Sequence, residues 1–237
     1  MLLITPDTKL ADALNSNYLL IPVVNRFGIA LGFGDKSVEE ICRGRGINVE
    51  FFTTILNVFS HENYFPQARM LNFDALALVQ YLERTHEYYR SLLLPQLERH
   101  FNLLMESASE KSKEVLLIEK FFNEYKNELL LHLKREDQAT FPYIKAIYHK
   151  QNLEDMARRY SIKKFEAEHN NIDEKLYDLK NILIKYAHNG YDEHLRNTVI
   201  FDLFRLEKDL TDHTHIENNI LTPIVEKMEQ ALFGSNA

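Results

Sequence analysis

Two stretches of this chain repeat one local pattern, and that repeat restricts the available folds more than any other feature. The first reads His132-Leu133-Lys134-Arg135-Glu136 with Phe141-Pro142 behind it. The second reads His213-Thr214-His215-Ile216-Glu217 with Thr222-Pro223 behind it. In both, histidine leads glutamate by four residues and proline by ten. On a helix an i,i+4 pair lies on one face about one turn apart, so each stretch offers an imidazole and a carboxylate to a common point.

Each stretch is preceded by a histidine on a helix of its own. These are His86 in Arg84-Thr85-His86-Glu87 and His169 in Ala167-Glu168-His169-Asn170. His86 and His169 are 83 residues apart, while His132 and His213, like Glu136 and Glu217, are 81 apart. The chain therefore carries two copies of one arrangement, a helix with a lone histidine followed by a helix with His-x-x-x-Glu. Two such pairs packed antiparallel are related by a pseudo-twofold axis and converge four imidazoles and two carboxylates on a bundle interior.

The surrounding pattern agrees with helices of that length. From Asn72 onward apolar residues recur at three- and four-residue spacing with few breakers. The spacing predicts helices over about 73–106 with a kink at Pro95, 110–137 after a turn at Ser107 and Ser109, 155–188 ending before Gly190, and 192–232. A short extra helical piece is expected to start at Phe141-Pro142-Tyr143.

The first 65 residues differ, because five of the seven glycines fall between Gly28 and Gly46. Such clustering marks short helices joined by tight turns. Helices are expected from Leu10, around Pro22 to Phe27, from Ser37 and from Asn48 to Ser60, with a linker over His61 to Leu71. Ser37-Val38-Glu39-Glu40 has capping-box spacing. Phe33, Phe51, Phe52 and Ile55 give this small module an apolar surface, which is expected to dock onto the bundle or onto a second protomer in a homodimer.

Composition narrows the chemistry. The formal charge of -7 gives no general attraction for phosphate backbones or anionic lipid. Residues 1–65 carry five basic residues (Lys9, Arg26, Lys36, Arg43, Arg45) against seven acidic ones (Asp7, Asp12, Asp35, Glu39, Glu40, Glu50, Glu62). A helix-turn-helix regulator would need a positive footprint there, so neither nucleic acid nor membrane is expected as a partner. No apolar run approaches the ~20 residues that span a bilayer, no basic-plus-apolar leader opens the chain, and the expected location is cytoplasmic.

A single cysteine, Cys42, excludes a site built on paired thiolates. Any metal is therefore held by histidine and carboxylate, a donor set that suits iron or manganese in five- or six-coordinate geometry better than closed tetrahedral zinc. If both carboxylates bridge, each metal receives two histidines and two glutamate oxygens. A solvent-derived bridge completes five ligands and leaves room for a small diatomic molecule. A lone histidine on an amphipathic helix is ordinarily solvated or hydrogen-bonded, and His61, His100, His149, His188 and His194 read that way. His215 lies roughly 200 degrees around the helix from His213 and points away from any site His213 serves. Tyr88 and Tyr89 flank His86 and read as core and surface aromatics.

These residues resemble the hemerythrin-like bundles of the iron-centre repair family, di-iron proteins linked to recovery of iron–sulfur clusters after nitric oxide or oxidative damage. The resemblance covers nearly the whole chain. Phe27-Gly28-Ile29 followed by Ser37-Val38-Glu39-Glu40-Ile41-Cys42 is similar to that family's N-terminal module. The resemblance implies an all-α fold, with a small helical module over 1–65 and a hemerythrin-like antiparallel four-helix bundle over 72–232. It also implies two iron ions per chain with an oxo or hydroxo bridge, His86, His132, His169 and His213 as terminal ligands, and Glu136 and Glu217 as bridges. Nitric oxide or oxygen and damaged iron–sulfur proteins are the implied partners, in a stress-response role that is either redox turnover or sensing. Classical oxygen carriers use a fifth histidine, which has no counterpart here. The family's Cys-Cys pair after the Gly-Ile turn is replaced by Gly32 and Phe33, neither of which binds metal or exchanges electrons. Cys42 alone keeps the position that closes the motif and reads as a half-buried helix residue.

Overall fold

The computed structural model describes residues 3–61, 64, 70–110, 112–151, 160–162, 172–187 and 190–234. Most of the expected linker, the first part of the expected third long helix, His169 and His188 lie outside them. The chain divides into two compact units, residues 1–81 and 82–237.

Among the described residues of the first unit, four short helices, α1 (Leu10–Ser16), α2 (Leu20–Arg26), α3 (Val38–Arg43) and α4 (Val49–Ser60), enclose a small core. α4 packs against both α2 and α3. Val23, Val24, Ile41, Phe52 and Ile55 are fully or almost fully buried, and the Phe27 ring meets Phe52 edge-on at 4.8 Å. The capping box at α3 is formed, with Ser37 Oγ accepting from the Glu40 amide at 3.2 Å and Glu40 accepting from the Ser37 amide at 2.7 Å. Gly28, Gly32 and Gly34 all have positive φ, which is why this turn is built from glycine. Cys42 is fully buried rather than half-buried, because its side of α3 faces this core, and burial pushes its thiol pKa up to about 11.

α5 (Ala75–Tyr88) crosses the boundary between the units. The second unit continues with α6 (Leu94–Glu106), α7 (Lys113–Arg135), α8 (Phe141–Tyr148), α9 (Ile172–Lys185), α10 (Glu193–Ile216) and α11 (Thr222–Phe233). α6 packs on α7, α7 on α9, α9 on α10, and α10 back on α6, which closes a four-helix bundle. Ser112 and Asp192 cap the first turns of α7 and α10 through the amides of Val115 and Leu195. Leu97, Phe101, Phe122, Leu129, Leu183 and Leu206 fill the interior, with the Phe101 and Phe122 rings stacked at 4.0 Å.

Among the described residues three π turns interrupt these rods, at Tyr89–Leu93, Glu136–Thr140 and Glu217–Leu221. Each is followed by an α-helix with proline as its second residue, namely Pro95, Pro142 and Pro223. Proline has no N–H to give to the carbonyl four residues back, and its ring crowds that carbonyl. A wide i→i+5 turn accommodates both effects without breaking the helix. The extra helical piece expected at Phe141 is therefore not separate. Lys113 to Tyr148 is one continuous helical rod, and the kink expected at Pro95 takes the same form.

Candidate metal centre

The π turns fall beside the residues singled out by the sequence repeat. Glu136 and Glu217 each open a π turn, and His132 and His213 lie in the last α-helical turn before it. His86 lies in the last turn of α5, just before the third. Each ligand-bearing face thus ends where its helix widens, and π segments inside α-helices recur at functional sites.

Four of the six expected ligands come together. One donor atom each from His86, Glu136, His213 and Glu217 lies within 4.8 Å of the other three, and all four residues are buried. His86 Nε2 is 3.1 Å from Glu136 Oε2, His213 Nε2 is 3.0 Å from Glu217 Oε1, and the two Nε2 atoms are 3.3 Å apart. Donors about 2.1 Å from one centre and at right angles to each other stand about 3.0 Å apart, so these spacings fit ligands of a single cation. His132 Nε2 lies 3.2 Å from Glu136 Oε1, the other oxygen of that carboxylate, and is nearly buried. Glu136 thus turns one oxygen to His86 and the other to His132, as a carboxylate shared between two neighbouring positions would. His169, the sixth expected ligand, lies outside the described residues.

The electrostatics are those of a cation site. Burial alone would lower the pKa of His86. Hydrogen bonds to Asp137 and Glu136, with the charges of Glu136 and Glu217, overcome this and raise it to about 9. Carboxylates that hold a proton on a fully buried imidazole favour any cation at the same place. Asp137 titrates below the usual range; burial acts against this, but His86 and Arg90 outweigh it.

Around this cluster stand Asp137 and Arg90, which the sequence did not single out, and Phe141 and Tyr89, which it did. His86 Nδ1 lies 2.8 Å from Asp137 Oδ1, and Arg90 donates to Asp137 Oδ2 at 2.5 Å. Phe141 stacks on the His86 ring at 5.1 Å. Tyr89 is fully buried, meets His213 edge-on at 5.7 Å, and donates to the buried Asp209 at 2.6 Å. The signals were present in the spacing, because Arg90 is i,i+4 from His86 and Asp137 directly follows Glu136. The His100 ring bonds Asp202 at 2.6 Å, away from the four-ligand cluster. His215 is half-buried, its Nδ1 lies 3.2 Å from Asn219 Nδ2, and it too stands apart from the cluster.

A buried His/Glu cluster at the widened turns of a four-helix bundle defines a metal-binding bundle protein, and the chain belongs to the hemerythrin family. The family description Hemerythrin HHE cation binding domain matches residues 77–225. Over 221 residues the chain is 20% identical to the iron-sulfur cluster repair protein ScdA of Staphylococcus haemolyticus (strain JCSC1435), covering 92% of this chain and 98% of that protein. No solved structure matches the chain. Among the described residues no helix is long and apolar enough to cross a membrane.

Proposed function

We propose that this chain is a cytoplasmic non-haem di-iron protein that meets nitric oxide or oxygen at its metal centre and serves the repair of iron–sulfur clusters under nitrosative or oxidative stress. The observation that carries the reading is the buried convergence of His86, Glu136, His213 and Glu217. His86 and His213 would be the terminal ligands at one iron and His132 and His169 at the other, with Glu136 and Glu217 bridging. The role in cluster repair rests on the similarity along nearly the full chain to a protein bearing that name.

Bound iron would supply the redox chemistry toward a diatomic molecule. The chain's own residues set the conditions for that chemistry. The two carboxylates supply two negative charges at a site almost closed to water, where charge is felt most strongly. The imidazoles bind in neutral form, so loading the site displaces the proton that His86 otherwise carries. Phe141 and Tyr89 wall the His86–His213 side with aromatic rings, which keeps water from the ligands.

The test is metal analysis and spectroscopy of protein produced with ample iron. Two irons per chain and near-ultraviolet absorption of a bridged ferric pair are expected, and zinc or no metal would sink the assignment. His132→Ala and His213→Ala each lower iron content, while His149→Ala does not. Steady-state consumption of nitric oxide by the reduced protein distinguishes turnover from sensing.

A further inference from the structure

Behind His86 three side chains stand in series. Arg90 Nη1 donates to Asp137 Oδ2 at 2.5 Å, and the other oxygen of Asp137 lies 2.8 Å from His86 Nδ1. Asp137, an acceptor in its charged form, accepts a hydrogen bond from Nδ1–H, so the neutral ring that a metal requires keeps its lone pair on Nε2, on the side of Glu136, Glu217 and His213. Arg90 is i,i+4 from His86 and reaches Asp137 across from the neighbouring helix, so the carboxylate is held at both oxygens. Arg90 and Asp137 are 34% and 25% exposed, and an ion pair at such exposure contributes little stability by itself. The bond to a ring with 0% exposure is what sets this pair apart.

The sequence repeat does not reproduce this carboxylate. The 81-residue repeat that carries Glu136 onto Glu217 carries Asp137 onto Asn218, a neutral amide. A negative charge behind a ligating imidazole fixes its tautomer and raises its basicity as a ligand. A carboxamide can do the first but not the second.

We propose that Asp137 is the positioning residue for His86, and that it makes the two metal positions unequal, the one at His86 and His213 being the tighter. The inference rests on the di-iron reading above. It concerns the affinity and electronic character of each position, which that reading leaves open.

The experiment titrates metal-free, full-length protein with ferrous iron, without oxygen, against a competing chelator. The iron-57-loaded protein is then examined by Mössbauer spectroscopy. Wild type is expected to bind two ferrous ions of different affinity and to show two quadrupole doublets. In Asp137→Asn the tighter ion weakens by about 10- to 100-fold, the other stays within about threefold, and one doublet moves toward the other. Asn218→Asp, the converse change, tightens the weaker ion. The Asn variant matches Asp137 in size at a partly exposed position, so the metal-free chain is expected to keep its fold, read as unchanged helical circular dichroism. Wild type that takes up no ferrous iron overturns the di-iron reading, and this inference with it. Two ions in wild type with identical titrations and spectra in Asp137→Asn overturn this inference alone. So does equal weakening of both ions, which would mark Asp137 as merely structural.

Discussion

Removing the metal should cost the bundle a definite amount of stability, and the structure indicates how much. Any ligand that binds only the folded state adds RT ln(1 + [L]/Kd), which is about 2.7 kcal/mol at a hundredfold excess over Kd. The unit that holds the cluster spans residues 82–237. About 150 residues at about 2.1 cal/mol/K each give an unfolding entropy near 0.32 kcal/mol/K. One ion at that excess therefore raises melting by about 8 °C, and two independent ions by roughly twice that. Circular dichroism at 222 nm, with protein in chelator compared with protein in ferrous iron without oxygen, reads the increment directly. The increment, and not the melting temperature itself, is diagnostic. His100→Ala breaks a bond to the buried Asp202 and should lower both curves, yet keep the gap between them. Glu217→Ala should close much of the gap, because a carboxylate with 0% exposure in the centre of the cluster is lost. Coincident melting with and without iron, or an unchanged gap in Glu217→Ala, would refute the claim that these side chains bind metal.

Three further outcomes are expected. In metal-free protein the folded-state pKa of His86 stands at about 9 against an ordinary 6.5, so its stabilisation is complete below pH 6.5 and is lost as pH rises through 9. The unfolding free energy of the metal-free chain, from urea titrations, should fall across that window by at most about 3 kcal/mol, and His86→Gln should flatten the profile. The Cys42 thiol is fully buried and held protonated, so thiol reagents should label it only on unfolding. Cys42→Ser should leave iron uptake and nitric oxide reactivity unchanged, while a loss of reactivity would point to a thiol mechanism. Tyr89→Phe removes a hydrogen bond of 2.6 Å to a buried carboxylate and should lower stability by about 1.5–3 kcal/mol in denaturant titrations, and no loss would mean that Asp209 gains nothing from the hydroxyl.

Much of the site was legible because helical geometry turns residue spacing into direction. His132 with Glu136, and His213 with Glu217, needed only the i,i+4 rule to share a face, and the matched 81-residue interval paired the two halves. The prolines ten residues after each histidine were equally visible, but their effect was not. Proline reads as a helix end because it lacks an N–H, and a sequence does not reveal whether the chain stops or widens by one residue. Packing decides that: Phe141 against His86, and Ile144 and Ile147 in the core, keep α8 in line with α7. Asp137 and Arg90 escaped notice for another reason. Charged residues beside a ligand usually face solvent, and only the crossing of two helices 47 residues apart in sequence brings this pair together behind one ring. The local pattern puts Cys42 on a helix, but which side of α3 meets the core depends on α4, and no local pattern carries that.

The wide turns at Glu136 and Glu217 have a consequence for inheritance. A π turn holds one residue more than the α-helical turn it replaces, and Pro142 and Pro223 sit directly behind such turns. Loss of a single codon there would return each proline to an ordinary helix, where its ring meets the carbonyl four residues before it at a cost of about 3 kcal/mol. A lineage that discards its metal centre and keeps a straight rod must therefore lose the proline along with the extra residue, which makes residues 136–142 and 217–223 the places to look when a descendant keeps the shape but not the chemistry.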